Sequence, residues 1–324
     1  MCTAITFQTE DFYFGRTLDH VMSYQESVTV IPRNFPLVFR NQTTIERHYA
    51  IIGMTLVAEG YPLLYDGMNE KGLAMAGLNF VGNTHYRQPA EGRDNVAQFE
   101  FLPWILSQCA SLQEAKALLE RVNITNEAFS KQFPPSQLHW LIADRTGAIT
   151  VESMKDGLKI RDNPIGVLTN NPPFEMQLFQ LNNYLNLSPK PPCNRFSDKV
   201  DLQVYSFGMG ALGLPGDLSS QSRFVRAAFT KLNAVCGTEE GESLGQFFHI
   251  LGAVEQSKGC TDVGEQEYEY TVYTSCCNGD KGIYYYTTYE NRQITAVDLH
   301  REDLEGRDLI SYPLIRTQNI HTQN

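Results

Sequence analysis

Cys2 stands directly behind the initiator methionine, and a residue this small marks Met1 for removal, which would leave a thiol and a free α-amine on one residue. That pairing is a complete nucleophile and general base. At pH 7 an ordinary thiol is about 3% thiolate and an ordinary α-amine about 10–17% neutral. Both are usable, and a neighbouring cation favours the active form of each. Arg16 lies one short hairpin away in sequence. The chemistry such a unit performs is acyl transfer: the thiol attacks a carbonyl, and the amine takes the thiol proton and returns it to the leaving group.

Taken alone, Cys2 is also what a small residue at the start of a strand looks like. The rest of the chain offers no rival nucleophile. There is no G-x-S-x-G and no outstanding Ser/His pair, and His139, inside Leu138-His139-Trp140-Leu141, reads as a satisfied core histidine. Gly208-Met209-Gly210-Ala211-Leu212-Gly213 fits the G-x-G-x-x-G of a dinucleotide site. However, Pro215-Gly216 interrupts the helix that must follow, and Asn233 sits where an acidic residue is needed. The seven cysteines (Cys2, Cys109, Cys193, Cys236, Cys260, Cys276, Cys277) are an odd number without an export signal, which argues against a disulfide framework. Without C-x-x-C or H-x-x-x-H spacing, no metal is expected, and no cofactor.

The elements that must position Cys2 begin as strands: Thr3 to Gln8, Phe12 to Gly15, Ser27 to Ile31 and Tyr49 to Met54, then a hairpin between Leu64 and Leu78. Phe101, Leu102, Ile105, Leu106 and Cys109 have helical spacing, and Ser111 to Glu114 forms a capping box for a second helix through Val122. Strands resume at Leu138 to Ala143, Ile149 to Ser153 and Gly166 to Thr169, and a Pro-rich irregular stretch spans Ser188 to Arg195. Helices are expected over Arg223 to Leu232 and Leu244 to Val254, the latter capped by Ser243. An antiparallel meander closes the chain, at Tyr268 to Cys276, Gly282 to Tyr289 and Gln293 to Leu299. Runs of strands separated by helix pairs suit an α+β protein with antiparallel sheets covered by helices, in one domain over 1–324.

A net charge of −11, from 26 basic against 37 acidic residues, argues against a protein that holds nucleic acid by neutralising phosphates, a local basic patch aside. No run approaches the roughly 18–20 apolar residues of a membrane span, and no signal peptide opens the chain, so the cytoplasm is the expected compartment.

Eight segments stand out in order along the chain: Met1-Cys2-Thr3-Ala4, Phe14-Gly15-Arg16-Thr17-Leu18-Asp19, Asp66-Gly67-Met68-Asn69-Glu70-Lys71-Gly72-Leu73 and Gly77-Leu78-Asn79-Phe80, then Gly166-Val167-Leu168-Thr169-Asn170, Leu214-Pro215-Gly216-Asp217, Ser222-Arg223-Phe224 and Gly282-Ile283-Tyr284-Tyr285-Tyr286. In that order, at about that spacing and over nearly the whole chain, they resemble the choloylglycine hydrolase family of N-terminal-nucleophile hydrolases.

The resemblance implies a four-layer αββα sandwich. It implies Cys2 as nucleophile with its α-amine as base, Arg16 and Asp19 holding them, Asn79 (main-chain N–H) and Asn170 (side-chain amide) as oxyanion donors, and Arg223 as a further donor. Substrates would be glycine- or taurine-conjugated bile salts, the asparagine at 79 favouring these over penicillin V, which other members cleave. A non-catalytic steroid- or lipid-binding protein is the remaining alternative. Leu18, Phe129 and Phe133 are candidates for an apolar substrate wall, although the two phenylalanines fit a core equally well. Gly208-Met209-Gly210 resembles the family loop associated with taurine preference, which adds Met209 to the substrate-binding candidates. Relatives further imply a homotetramer.

Overall fold

The computed structural model describes residues 1–324. The chain opens with β1 (Cys2–Gln8), β2 (Phe12–His20), β3 (Ser27–Ile31), β4 (Ile51–Ala58), β5 (Tyr61–Asn69) and β6 (Ala74–Asn79). After β7 (Asp94–Ala97) come α1 (Phe101–Gln108) and α2 (Leu112–Leu119), then β8 (Val122–Thr125), β9 (Leu138–Asp144), β10 (Gly147–Met154), β11 (Gly157–Asp162) and β12 (Val167–Leu168). Three helices follow, α3 (Phe174–Gln180), α4 (Ser220–Asn233) and α5 (Glu240–Gly252). The chain closes through β13 (Asp262–Gly264), β14 (Glu267–Tyr268), β15 (Tyr270–Asn278), β16 (Ile283–Thr288), β17 (Thr295–Asp298) and β18 (Ile310–Pro313).

Two antiparallel sheets dominate, one ordered β12-β1-β2-β15-β16-β17 and the other β11-β10-β9-β6-β5-β4-β3-β18. The period of two along β6 shows how they are layered. Ala74, Ala76 and Leu78 join a core with Ala4 and Phe14 of the first sheet, and Met75, facing the other way, packs with Phe101 and Ile105 of α1. On the far side of the first sheet, Phe224 of α4 and Phe247 and Leu251 of α5 pack against its other face, in a cluster of buried residues continuous with the one between the sheets. The result is helix, sheet, sheet, helix, the four-layer arrangement that the family resemblance implies.

Because both faces of the first sheet are covered, its central strands show no apolar-polar alternation. Eight of the nine residues of β2 are buried, Arg16, Thr17 and Asp19 among them. β1 and β2 form a hairpin in which Cys2 faces Leu18 and Ala4 faces Arg16. Gly15 lies where β15 passes so closely that a Cβ would stand 2.0 Å from the Ser275 carbonyl oxygen.

Several expected boundaries shift. The second helix ends at Leu119, and Val122 belongs instead to β8, which pairs in parallel with β7. Ser111 does cap that helix by accepting the Glu114 N–H, but the Glu114 carboxylate reaches the Ala110 N–H and leaves the box open. α5 begins at Glu240, so Ser243 is not its cap but a buried residue in the first turn, hydrogen-bonded to Thr9 Oγ1 at 2.8 Å. Glu240 and Glu242 in that turn suit the positive end of the helix. Several elements, β11, α3 and β18 among them, had no readable signal. β11 is a sheet-edge strand whose outer residues, including Arg161 and Asp162, are exposed.

Candidate active site

The β1–β2 hairpin places Cys2 at the start of an inner strand, 4% exposed, with the fully buried cation Arg16 directed at it. Arg16 Nη2 donates to Cys2 Sγ at 2.5 Å, while Nη1 donates to the Gly77 carbonyl (2.5 Å) and Nε to the Thr17 carbonyl (3.1 Å). Burial acts to lower the Arg16 pKa. Cys2, Tyr273, Asp66 and Asp19 outweigh it and hold the guanidinium charged, above the ordinary arginine value. Asp66 is itself enclosed, receiving Tyr273 Oη (2.7 Å), Tyr284 Oη (2.6 Å) and Ser275 Oγ (3.2 Å). Burial raises its pKa against the pull of Arg16 and these hydroxyls.

A second cation comes from α4. Arg223 Nη1 donates to the Cys2 carbonyl (2.5 Å) and Thr3 Oγ1 (2.6 Å), Nη2 to Asn170 Oδ1 (2.7 Å), and Nε to the Leu218 carbonyl (2.9 Å). Burial, the largest influence, lowers its pKa, and the charges of Asp19 and Cys2 oppose that. Asn170 Oδ1 also accepts the Cys2 N–H at 2.9 Å. Asp19, expected at the amine, is held by Thr271 Oγ1 (2.7 Å), Gln256 Nε2 (3.1 Å) and Thr17 Oγ1 (3.3 Å), with Arg223 Nη1 at 3.9 Å. The direct side-chain partner of the Cys2 nitrogen is therefore Asn170.

The remaining donors face the same space. Asn170 Nδ2 donates one N–H to the Asn79 carbonyl at 2.8 Å, which leaves its second N–H available. In the β6–β9 ladder the Phe80 N–H bonds the Gln137 carbonyl, so alternation turns the Asn79 N–H and C=O away from β9. They point past the end of the β5–β6 pairing, whose last pair is Asp66 with Ala76. Asn170 thus links the Asn79 carbonyl to the Cys2 nitrogen, and neutral N–H groups at these two residues are of the type that oxyanion stabilisation requires.

Met1 is part of the described chain. Its ammonium pairs with Glu269 and donates to the Asp19 carbonyl at 2.7 Å, and burial is the main cause of its lowered pKa. With Met1 in place the Cys2 nitrogen is an amide.

The structure thus gathers Cys2, Arg16, Asp19, Asn79, Asn170 and Arg223. Leu18 lies opposite Cys2 in the hairpin. Phe129 and Phe133 belong to an aromatic group, with Phe129 5.8 Å from Tyr61, 5.3 Å from Phe99 and 6.2 Å from Phe133 between ring centroids. Met209 sits on a 3-10 turn (Met209–Ala211) rather than on a strand-to-helix phosphate loop, and its sulfur is 3.4 Å from the Tyr205 nitrogen.

Sequence reasoning missed Gln256 and Thr271, and it missed what His139 does. His139 is buried, with Nδ1 3.1 Å from Glu152 Oε1, Nε2 2.9 Å from the Thr169 carbonyl and its ring stacked on Phe80 at 4.2 Å. It braces the residue after Asn79 and the residue before Asn170. Burial and polar satisfaction were foreseeable, but the contacts with Phe80 and Thr169 span 30 positions and more in sequence and leave no local pattern.

Two antiparallel sheets between helical layers, with a thiol at the second residue and fixed donors around it, define the class of N-terminal-nucleophile amide hydrolases. The model of the linear amide C–N hydrolases, choloylglycine hydrolase family, matches residues 2–312, and this chain belongs to that family. It is 57% identical over 97% of both chains to a bile salt hydrolase/transferase of Lactiplantibacillus plantarum, and 40% identical over the full length of both to one of Clostridium perfringens. The crystal structure of a mutant conjugated bile acid hydrolase from Clostridium perfringens superposes with a TM-score of 0.93 at 39% identity, covering all of both chains. A penicillin V acylase from Agrobacterium tumefaciens shares the fold at a TM-score of 0.74 and 21% identity, over 96% of this chain and 90% of its own.

Proposed function

We propose that this chain hydrolyses the amide bond between a bile acid and glycine or taurine, with Cys2 as nucleophile once Met1 is removed. The observation that carries the reading is the pairing at one residue: Arg16 on the Cys2 sulfur and Asn170 Oδ1 on its nitrogen. In this mechanism Arg16 holds the Cys2 sulfur in place by donating to it. The freed α-amine, oriented by Asn170 and by the field of Asp19, relays the proton from thiol to leaving nitrogen. The Asn79 N–H and the second Asn170 N–H hold the tetrahedral oxyanion. Arg223 fixes both the Cys2 carbonyl and Asn170, and water then releases the bile acid from the acyl-enzyme. Leu18, Phe129, Phe133 and Met209 are assigned to the substrate wall.

The close relatives named for bile salts support this substrate class over penicillin V, since the acylase supports only the fold. Product analysis with glycocholate, taurocholate and penicillin V side by side tests it. The expected outcome is free cholate from both conjugates, with taurocholate cleaved at least as well as glycocholate. Turnover confined to penicillin V overturns the reading.

The cytoplasm is proposed as the compartment, on the strength of seven free cysteines that include the exposed Cys193 and Cys260. A homotetramer is proposed on family resemblance. The exposed Phe196, Tyr205 and Phe207 of the segment before Met209 supply an apolar surface that a second copy would cover.

A further inference from the structure

β1 runs from Cys2 to Gln8, about 20 Å, and its far end opens on a cavity of 610 Å³ that plays no part in the chemistry at Cys2. Ligand pockets span about 300–1,000 Å³. Phe7 and Phe12 from the first sheet, Leu112 from α2 and Pro164 supply an apolar part of its wall, and polar residues, Thr6 and Lys231 among them, make up most of the rest.

Most of the charges around it are already satisfied. Lys116 pairs with Asp162 at 2.6 Å and Arg145 with Asp280 at 2.8 Å. Asp144 accepts the N–H groups of Leu112 and Thr146, each at 2.7 Å, and the Thr146 hydroxyl at 2.5 Å. Lys231 differs: its Nζ donates to the Ile165 carbonyl and has no carboxylate partner. Residue 166 is a glycine with φ +61°, and a Cβ there would stand 2.7 Å from Lys231 Nζ and 2.0 Å from Thr6 Oγ1, so the missing side chain makes room for the amine.

We propose that this cavity is a second ligand site, for a small carboxylate with an apolar body whose anionic group pairs with Lys231. Burial lowers the Lys231 pKa to about 8, as expected for an ammonium removed from water without a counter-charge, and a bound carboxylate supplies that charge. An occupant would touch the far ends of the segments that build the hydrolytic site. β1 carries Cys2, α4 carries Arg223 eight residues (about 12 Å) before Lys231, and Gly166 precedes Asn170 by four residues. The proposal does not depend on the identity of the substrate at Cys2.

Titration of octanoate into the full chain by calorimetry tests it, with octylammonium as the charge control and three variants: Lys231→Met, Lys231→Arg and Gln113→Trp. Gln113 lines the cavity and is solvent-exposed, so tryptophan there blocks the space without entering the core. Expected are octanoate binding to wild type and to Lys231→Arg, a loss of about ten-fold or more in affinity for Lys231→Met and for Gln113→Trp, and no octylammonium binding. The Gln113 variant keeps the test open should Lys231→Met fail to fold. Absence of octanoate binding to wild type, unchanged affinity in Gln113→Trp, or octylammonium binding as tightly as octanoate overturns the proposal.

Discussion

At the scale of single residues, the proposed mechanism asks one atom to form the covalent bond and one nitrogen to move the proton. Replacing Cys2 with alanine removes the atom and fills the same small volume. Circular dichroism should therefore be unchanged while hydrolysis disappears, and a variant that keeps about a tenth of wild-type kcat overturns the mechanism. Blocking Met1 excision, or fusing a tag upstream, turns the amine into an amide with no available lone pair. Intact mass paired with activity should show turnover only in protein that begins at Cys2, and full activity in protein that quantitatively retains Met1 refutes the assignment of the base. Asn170 accepts from the Cys2 nitrogen, and beside its bond to the Asn79 carbonyl it keeps a second N–H, the one assigned to the oxyanion in the proposed mechanism. Asn170→Ala should lower kcat by about 10²–10³-fold with a much smaller change in KM, measured in steady state.

At the scale of elements, the site depends on how closely three inner strands approach. β2 lies between β1 and β15, and Gly15 is where the backbone of β15 leaves no room for a side chain. Since the obstructing atom is a main-chain oxygen, no rotamer change relieves the clash. Gly15→Ala should cost about 3 kcal/mol in urea unfolding and reduce activity with it, because Arg16 is the next residue. The cap of α2 is a contrasting case. Ser111→Ala removes one hydrogen bond at a helix end and should cost about 1 kcal/mol with kcat/KM unchanged, since α2 packs on the second sheet away from Cys2.

At the scale of the whole molecule, Glu100 ties stability to pH. It is 1% exposed, and burial lifts its pKa to about 7 despite the N–H groups of Arg40 (2.7 Å) and Ala97 (3.0 Å) that its oxygens accept. The folded protein therefore holds this proton at pH values where the unfolded chain has released it. As pH rises from the ordinary glutamate range through neutrality, Glu100 takes stability away. Glu100→Gln should flatten the fall of the urea midpoint across that interval, and an unchanged slope refutes the assignment. The proposed self-association belongs to this scale as well. Phe207 is 98% and Phe196 84% exposed, and replacing both with aspartate should shift the mass measured by light scattering to that of one chain.

The sequence by itself determined the nucleophile, the antiparallel sheets covered by helices and most strand and helix cores, because these depend on local signals: a small residue after Met1, periodicity, and turn formers between strands. The four-layer order came only through the family resemblance. It also carried the six residues of the candidate site, through motifs whose order survives along the chain. Tertiary structure decided which partner each of them has. Asn170 rather than Asp19 receives the Cys2 nitrogen, and Thr271 and Gln256 hold Asp19 from more than 200 positions away. His139 braces the segments that carry Asn79 and Asn170. These contacts arise when two sheets pack face to face. They depend on distances across layers, which no spacing along a strand records.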